Sequence, residues 1–155
     1  MNAPLPPIKE LLLHRGTMLL LDEATSFSEM EATCSCRVAR SAWYSNADGA
    51  MPGWIGIELM AQTIAAHVAL LARSRGLPPK AGALLGTRQY SSQRPFFAAD
   101  EELFITARKE FHDSSGLGAY DCHIALDDVV VASATLKVFE PEDFDEFIAG
   151  GKEAS

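Results

Sequence analysis

The chain has 155 residues, 48% of them hydrophobic and 22% charged, which suits one globular domain with a real core. A formal net charge of −8 and a pI near 4.9 argue against a surface built for nucleic acid or for an anionic membrane. The opening Met1-Asn2-Ala3-Pro4-Leu5-Pro6-Pro7 carries prolines and no basic segment ahead of an apolar one, so no signal peptide is expected and the expected compartment is the cytoplasm. Ile8 to Leu13 reads as a short helix, His14-Arg15-Gly16 as a turn, Thr17 to Thr25 as a strand and Ser26 to Glu29 as a second turn. Met30, Ala32, Cys34, Cys36 and Val38 then alternate with polar residues, the period of a half-buried strand. The three cysteines, Cys34, Cys36 and Cys122, lack the number and spacing of a zinc site and read as reduced core thiols.

Residues 41–50 show no periodicity and form a loop leading to the most informative stretch, Met51-Pro52-Gly53-Trp54-Ile55-Gly56-Ile57-Glu58-Leu59-Met60-Ala61-Gln62. Pro52 and Gly53 suit the start of a helix. From Trp54 to Ala72 nearly every residue is apolar, so the helix is expected to have no solvent face. Glu58, Gln62 and His67 inside it argue against a membrane span. A carboxylate buried in such a helix is costly without partners or a task, which makes Glu58 the first candidate for function. Arg75-Gly76 ends the helix with a basic last turn and a glycine cap.

Ala83 to Ser91 reads as a strand, interrupted by Gln93-Arg94-Pro95. Leu103, Ile105 and Ala107 mark a strand reaching His112, and Asp113-Ser114-Ser115-Gly116 a turn. Tyr120, Cys122, Ile124 and Leu126 give the next apolar face. Val130, Ala132, Ala134, Leu136 and Val138 give the last, which Pro141 closes. Asp143 to Ala149 is expected to form a short terminal helix. One long apolar helix among antiparallel strands predicts an α+β fold in which a curved sheet wraps the helix, of the hotdog kind.

From Ile8 to Phe139 the chain resembles the bacterial 3-hydroxyacyl-acyl-carrier-protein dehydratases, a hotdog family. Leu12-Leu13-His14-Arg15-Gly16-Thr17-Met18-Leu19-Leu20-Leu21-Asp22 is similar to that family's opening motif. Met51-Pro52-Gly53, Glu58 and Met60-Ala61-Gln62 match its helix motif, and Gln93-Arg94-Pro95 resembles its Arg-Pro bend. The likeness is greatest to a divergent branch, some of it from aryl-polyene gene clusters. The resemblance implies a single hotdog domain over 1–155, with 1–7 and 150–155 poorly ordered. It also implies a lyase that removes water from a 3-hydroxyacyl thioester to give a trans-2-enoyl thioester.

The substrate would ride on the phosphopantetheine of acyl carrier protein, with no metal and no other cofactor. The partners implied are that carrier protein and a second hotdog subunit, identical or related. Gly53 matches the amide that polarises the thioester carbonyl, and Glu58 the carboxyl that handles the β-hydroxyl. Where the family has its loop histidine, nine residues before Gly53, this chain has Tyr44. Tyr44 either replaces that histidine, or is there for packing or to line the substrate channel.

Trp54, Gln62, Arg88 and Arg94 complete the expected substrate-binding set. Gln62 stands roughly 40° round the helix from Glu58, so it either orients that carboxyl or bonds to the sheet. Arg88 and Arg94, with Lys80, form either a receptor for the acidic carrier or a solvated rim. His67 lies roughly 180° from Glu58 and reads as a satisfied core histidine, while His14 reads as structural and as the reserve candidate for a base. Two other functions fit the same residues: a half-site subunit completed by a histidine-bearing paralogue, and a thioesterase using Glu58.

Overall fold

The computed structural model describes residues 4–78 and 83–140. A short helix α1 (Ile8–Leu11) and a 3-10 turn (Gly16–Met18) precede strands β1 (Glu23–Phe27) and β2 (Glu31–Arg37). The two-residue strand β3 (Met51–Pro52) leads into helix α2 (Ile55–Ser74). Then follow β4 (Ala83–Ser92), the two-residue β5 (Phe96–Phe97), β6 (Glu102–His112), β7 (Leu117–Leu126) and β8 (Val129–Phe139). Among the described residues six strands form one antiparallel sheet in the order β1-β2-β6-β7-β8-β4, and β3 pairs with β5. The expected terminal helix, Pro141, Lys80 and both chain ends (1–3 and 150–155) lie outside the described residues.

The sheet curls round α2 because each carries one continuous apolar surface. Cys34 and Cys36 from β2, Leu103, Ile105 and Ala107 from β6, Tyr120, Cys122 and Ile124 from β7, and Leu136 from β8 face inward. They meet Ile55, Leu59, Met60 and Ile64 of the helix. Full burial of each large apolar side chain contributes roughly 1.5–3 kcal/mol, far more than intrinsic helix propensity supplies. The helix is long and apolar enough to cross a membrane, yet 78% of its most apolar stretch is buried inside the protein. Its C-terminus closes with Gly76 at φ 66°. There the Gly76 amide donates to the Arg73 carbonyl and the Leu77 amide to the Ala72 carbonyl, the pairing of a Schellman cap.

The structure corrects several sequence expectations. The strand placed at Thr17–Thr25 begins only at Glu23, because the preceding segment bonds to a helix side chain: Gln62 accepts from the Leu20 amide and donates to the Met18 carbonyl. Pro52 belongs to β3, and α2 starts three residues later. The helix also has an open face, since Ile57, Glu58, Ala61, Ala65 and Val68 recur on one side and are only half-buried. On β8 the alternation slips: Val130 is exposed and Val131 buried, where the pairing with β7 shifts register between Ile124 and Ala125.

Candidate active site

The start of α2 is held by backbone packing rather than by a side-chain cap. The Gly53 amide donates to the Pro95 carbonyl at 2.7 Å, and the Tyr90 hydroxyl donates to the Gly53 carbonyl. A Cβ on Gly53 would lie 2.8 Å from the Arg94 carbonyl oxygen, so glycine is what lets the 94–95 bend seat against the chain here. Gly56 lets Tyr90 seat against the helix, because a Cβ there would collide with the Tyr90 hydroxyl. The residues expected to mark a substrate site therefore also lock the helix in place. The Gly53 amide, expected to meet a thioester oxygen, is engaged by Pro95.

Glu58 lies one turn into α2. Its side chain is 39% exposed, which corrects the expectation of a buried carboxylate. Two groups hold it. Gln62 Nε2 donates to Oε1 at 3.0 Å, and His14 Nε2 stands 3.5 Å from the same oxygen. Gln62 is itself fully buried and spends its carbonyl on the Leu20 amide at 3.1 Å and its remaining N–H on the Met18 carbonyl at 2.8 Å. Gln62 thus orients the carboxyl as one alternative had it, while its remaining bonds go to the 18–20 segment and not to the sheet. The network also fixes its amide orientation, since only the carbonyl end can accept from Leu20.

His14 comes to Glu58 from the turn after α1. The Arg15 guanidinium donates to the carbonyls of Leu12 and His14 and so holds that turn. Trp43 ties the neighbouring loop in by donating from Nε1 to the Thr17 carbonyl at 2.8 Å. Leu13, Met18, Trp43 and Trp54 are all more than half exposed, so apolar side chains stand on the segments that carry the carboxylate and the imidazole and on the loop tied to them. Such a setting suits a substrate with a greasy body and one polar reacting group.

A family model described as ApeP-like, ApeP dehydratase, matches residues 6–149. The chain belongs to this family. Among solved structures it is similar to a chain of the dehydratase heterocomplex ApeI:P from Xenorhabdus doucetiae, at 28% identity and a TM-score of 0.86, covering 94% of this chain and 97% of that one. A hypothetical thioesterase with coenzyme A from Streptococcus pneumoniae matches at 18% identity and a TM-score of 0.61, covering 76% of this chain and 84% of that one. The E. coli PaaI protein from the phenylacetic acid degradation operon matches at 22% and 0.57, covering 76% and 81%. These last two share the fold. A comparison with curated proteins finds no match. The architecture is the hotdog, and the function is dehydratase-like.

The other expected site residues lie apart from the Glu58 cluster or are already engaged. The Tyr44 ring is in the core, its hydroxyl accepts from the Ala39 amide at 3.0 Å, and burial pushes its phenol above the ordinary value against the smaller pull of that amide. A phenol so placed is a poor base at neutral pH. Arg94 pairs with Glu101 at 2.9 Å. Burial works against the Glu101 charge, but the hydrogen bonds from Arg94 and the Ala98 amide hold its carboxyl below the usual range. Arg88 is exposed on β4, the outermost strand beside β8. Sequence reading did not pair His14 with Glu58; the opening motif marked the residue, but no spacing rule joins two such distant positions.

Proposed function

We propose that this chain acts on a 3-hydroxyacyl thioester carried by acyl carrier protein, removing water to leave the trans-2-enoyl thioester. The observation that carries this reading is the Glu58 carboxylate, held by Gln62 and His14 one turn inside α2 and open to solvent. Glu58 in its protonated form gives its proton to the β-hydroxyl, which leaves as water. The developing charge on the thioester oxygen is met by the positive end of the α2 dipole, although the Gly56 and Ile57 amides already donate to the Gly53 and Trp54 carbonyls. The Gly53 amide contributes only if the Pro95 bond opens.

The reading includes a hotdog partner, supported by the heterocomplex to which this chain is similar. The open face of α2 and the β4 edge, with Leu84 and Leu85 exposed, offer apolar surface to such a subunit. We place the protein in the cytoplasm, in keeping with its three free thiols.

The test is mass spectrometry of acyl carrier protein loaded with a 3-hydroxyacyl group, after incubation with this chain alone and with a co-purifying hotdog subunit. A loss of mass equal to one water is expected. Release of free acid and thiol instead would identify hydrolysis, and an unchanged substrate under both conditions would refute catalysis by this chain.

A further inference from the structure

This step rests on the dehydratase reading above, which needs a base at the α-carbon as well as an acid at the β-oxygen. Tyr44 is spent on Ala39 and sits in the core. His14 is placed differently. Its Nε2 is 3.5 Å from Glu58 Oε1, while its Nδ1 is buried with no hydrogen-bond partner among the described residues. Buried polar atoms are rarely left so, and a histidine kept only for structure ordinarily satisfies both nitrogens. The turn does not depend on the imidazole either, since the Arg15 guanidinium bonds the Leu12 and His14 carbonyls. The ring is one-third exposed, and the apolar side chains of Leu13 and Met18 stand exposed in the same segment.

We infer that His14 is the general base of the reaction, working in the same chain as Glu58. In the tautomer protonated at Nδ1, the Nε2 lone pair takes the α-proton. The C–H electron pair becomes the new Cα–Cβ π bond, the C–O bond breaks, and the hydroxyl departs as water with the Glu58 proton. The imidazolium then returns its proton to the Glu58 carboxylate across the 3.5 Å gap, restoring both groups. That distance is longer than a tight hydrogen bond, as is common at sites without substrate. The role left open by Tyr44 at the loop position is thereby filled from the opening motif.

The experiment uses the full chain with its hotdog partner and a 3-hydroxyacyl-acyl-carrier-protein substrate. His14→Gln is expected to lower kcat by ~10²–10⁴-fold with a far smaller change in KM. It is also expected to erase the acid-side limb of the kcat/KM pH profile, because a base must be unprotonated to act. His14→Ala is expected to recover activity with added imidazole, and thermal unfolding checks that both variants are folded. Wild-type kcat and an unchanged pH profile in His14→Gln, with dehydration intact, would overturn the assignment and leave the dehydratase reading standing. Lost activity with neither imidazole rescue nor a lost limb would overturn it too, marking His14 as structural. No enoyl product from the wild-type complex would instead remove the dehydratase reading, and the base with it.

Discussion

Two histidines meet along helix α2, His67 on the helix and His14 facing it from the turn after α1, and they differ in how completely their polar atoms are used. In the helix's C-terminal half His67 is fully buried, with Nδ1 at 3.0 Å from the Tyr120 hydroxyl and Nε2 at 3.1 and 3.0 Å from the carbonyls of Ser28 and Glu29. Phe27 and Tyr120 pack on its ring, and burial pulls its imidazole below the ordinary value. At the N-terminal end, His14 has no partner for one nitrogen among the described residues and points the other at a carboxylate open to solvent. A closed network of this kind serves stability, because every donor has an acceptor and nothing is left for a ligand. An open one is costly to keep and leaves polar atoms free for a ligand, as the proposed reaction requires.

The contrast can be broken most sharply at Glu58. Glu58→Gln is expected to cut dehydration by ~10²–10⁴-fold while the fold survives, since a glutamine carbonyl still accepts from Gln62. Near-wild-type turnover of a folded variant would take the carboxyl out of the mechanism. His67→Ala should do the reverse. Loss of packing and of the partner of the Tyr120 hydroxyl is expected to cost roughly 2–5 kcal/mol in denaturant unfolding, with kcat per folded molecule unchanged.

The same residue predicts a direction with pH. The folded-state value of His67 is depressed, so the unfolded chain takes up a proton first as pH falls. Its contribution to stability is present above the unfolded value of about 6.5 and is lost as the solution is acidified from there toward the folded-state value. His67→Ala should flatten that part of the stability–pH curve, and an unaltered curve would assign the slope to other groups.

Smaller effects sharpen the picture of the helix start. Gly56→Ala is expected to destabilise by about 1–3 kcal/mol through the clash with Tyr90, and combining it with Tyr90→Phe should cost less than the sum of the two single changes. Strict additivity would mean that the tyrosine hydroxyl is not what excludes a side chain there. Tyr44→Phe is expected to cost only about 1 kcal/mol, the worth of the Ala39 hydrogen bond, and to leave kcat within a few-fold. A large fall in kcat would return Tyr44 to the reaction.

Much of this was legible in the residues. The alternation in β2, β6 and β7, the Gly76 cap and the motif carrying Glu58 all follow local rules, and local rules are what a sequence displays directly. What escaped depends on partners far along the chain. The segment before β1 is not a strand because Gln62 takes its backbone groups. Glu58 is not buried because the sheet leaves one side of α2 open, and a run of apolar residues cannot say which side its own sheet covers. Arg94 looked like a cation free for an acidic carrier or for solvent, yet Glu101, across the short β5, claims it.

The inward-facing cysteines give the sheet one more property. Burial raises the thiols of Cys34, Cys36 and Cys122 to about 12, so at neutral pH they are neither ionised nor reachable while the strands stay closed. An alkylating reagent then reacts only in moments when β2 or β7 comes away from the helix, and the modification rate at each sulfur becomes a clock for opening at that strand.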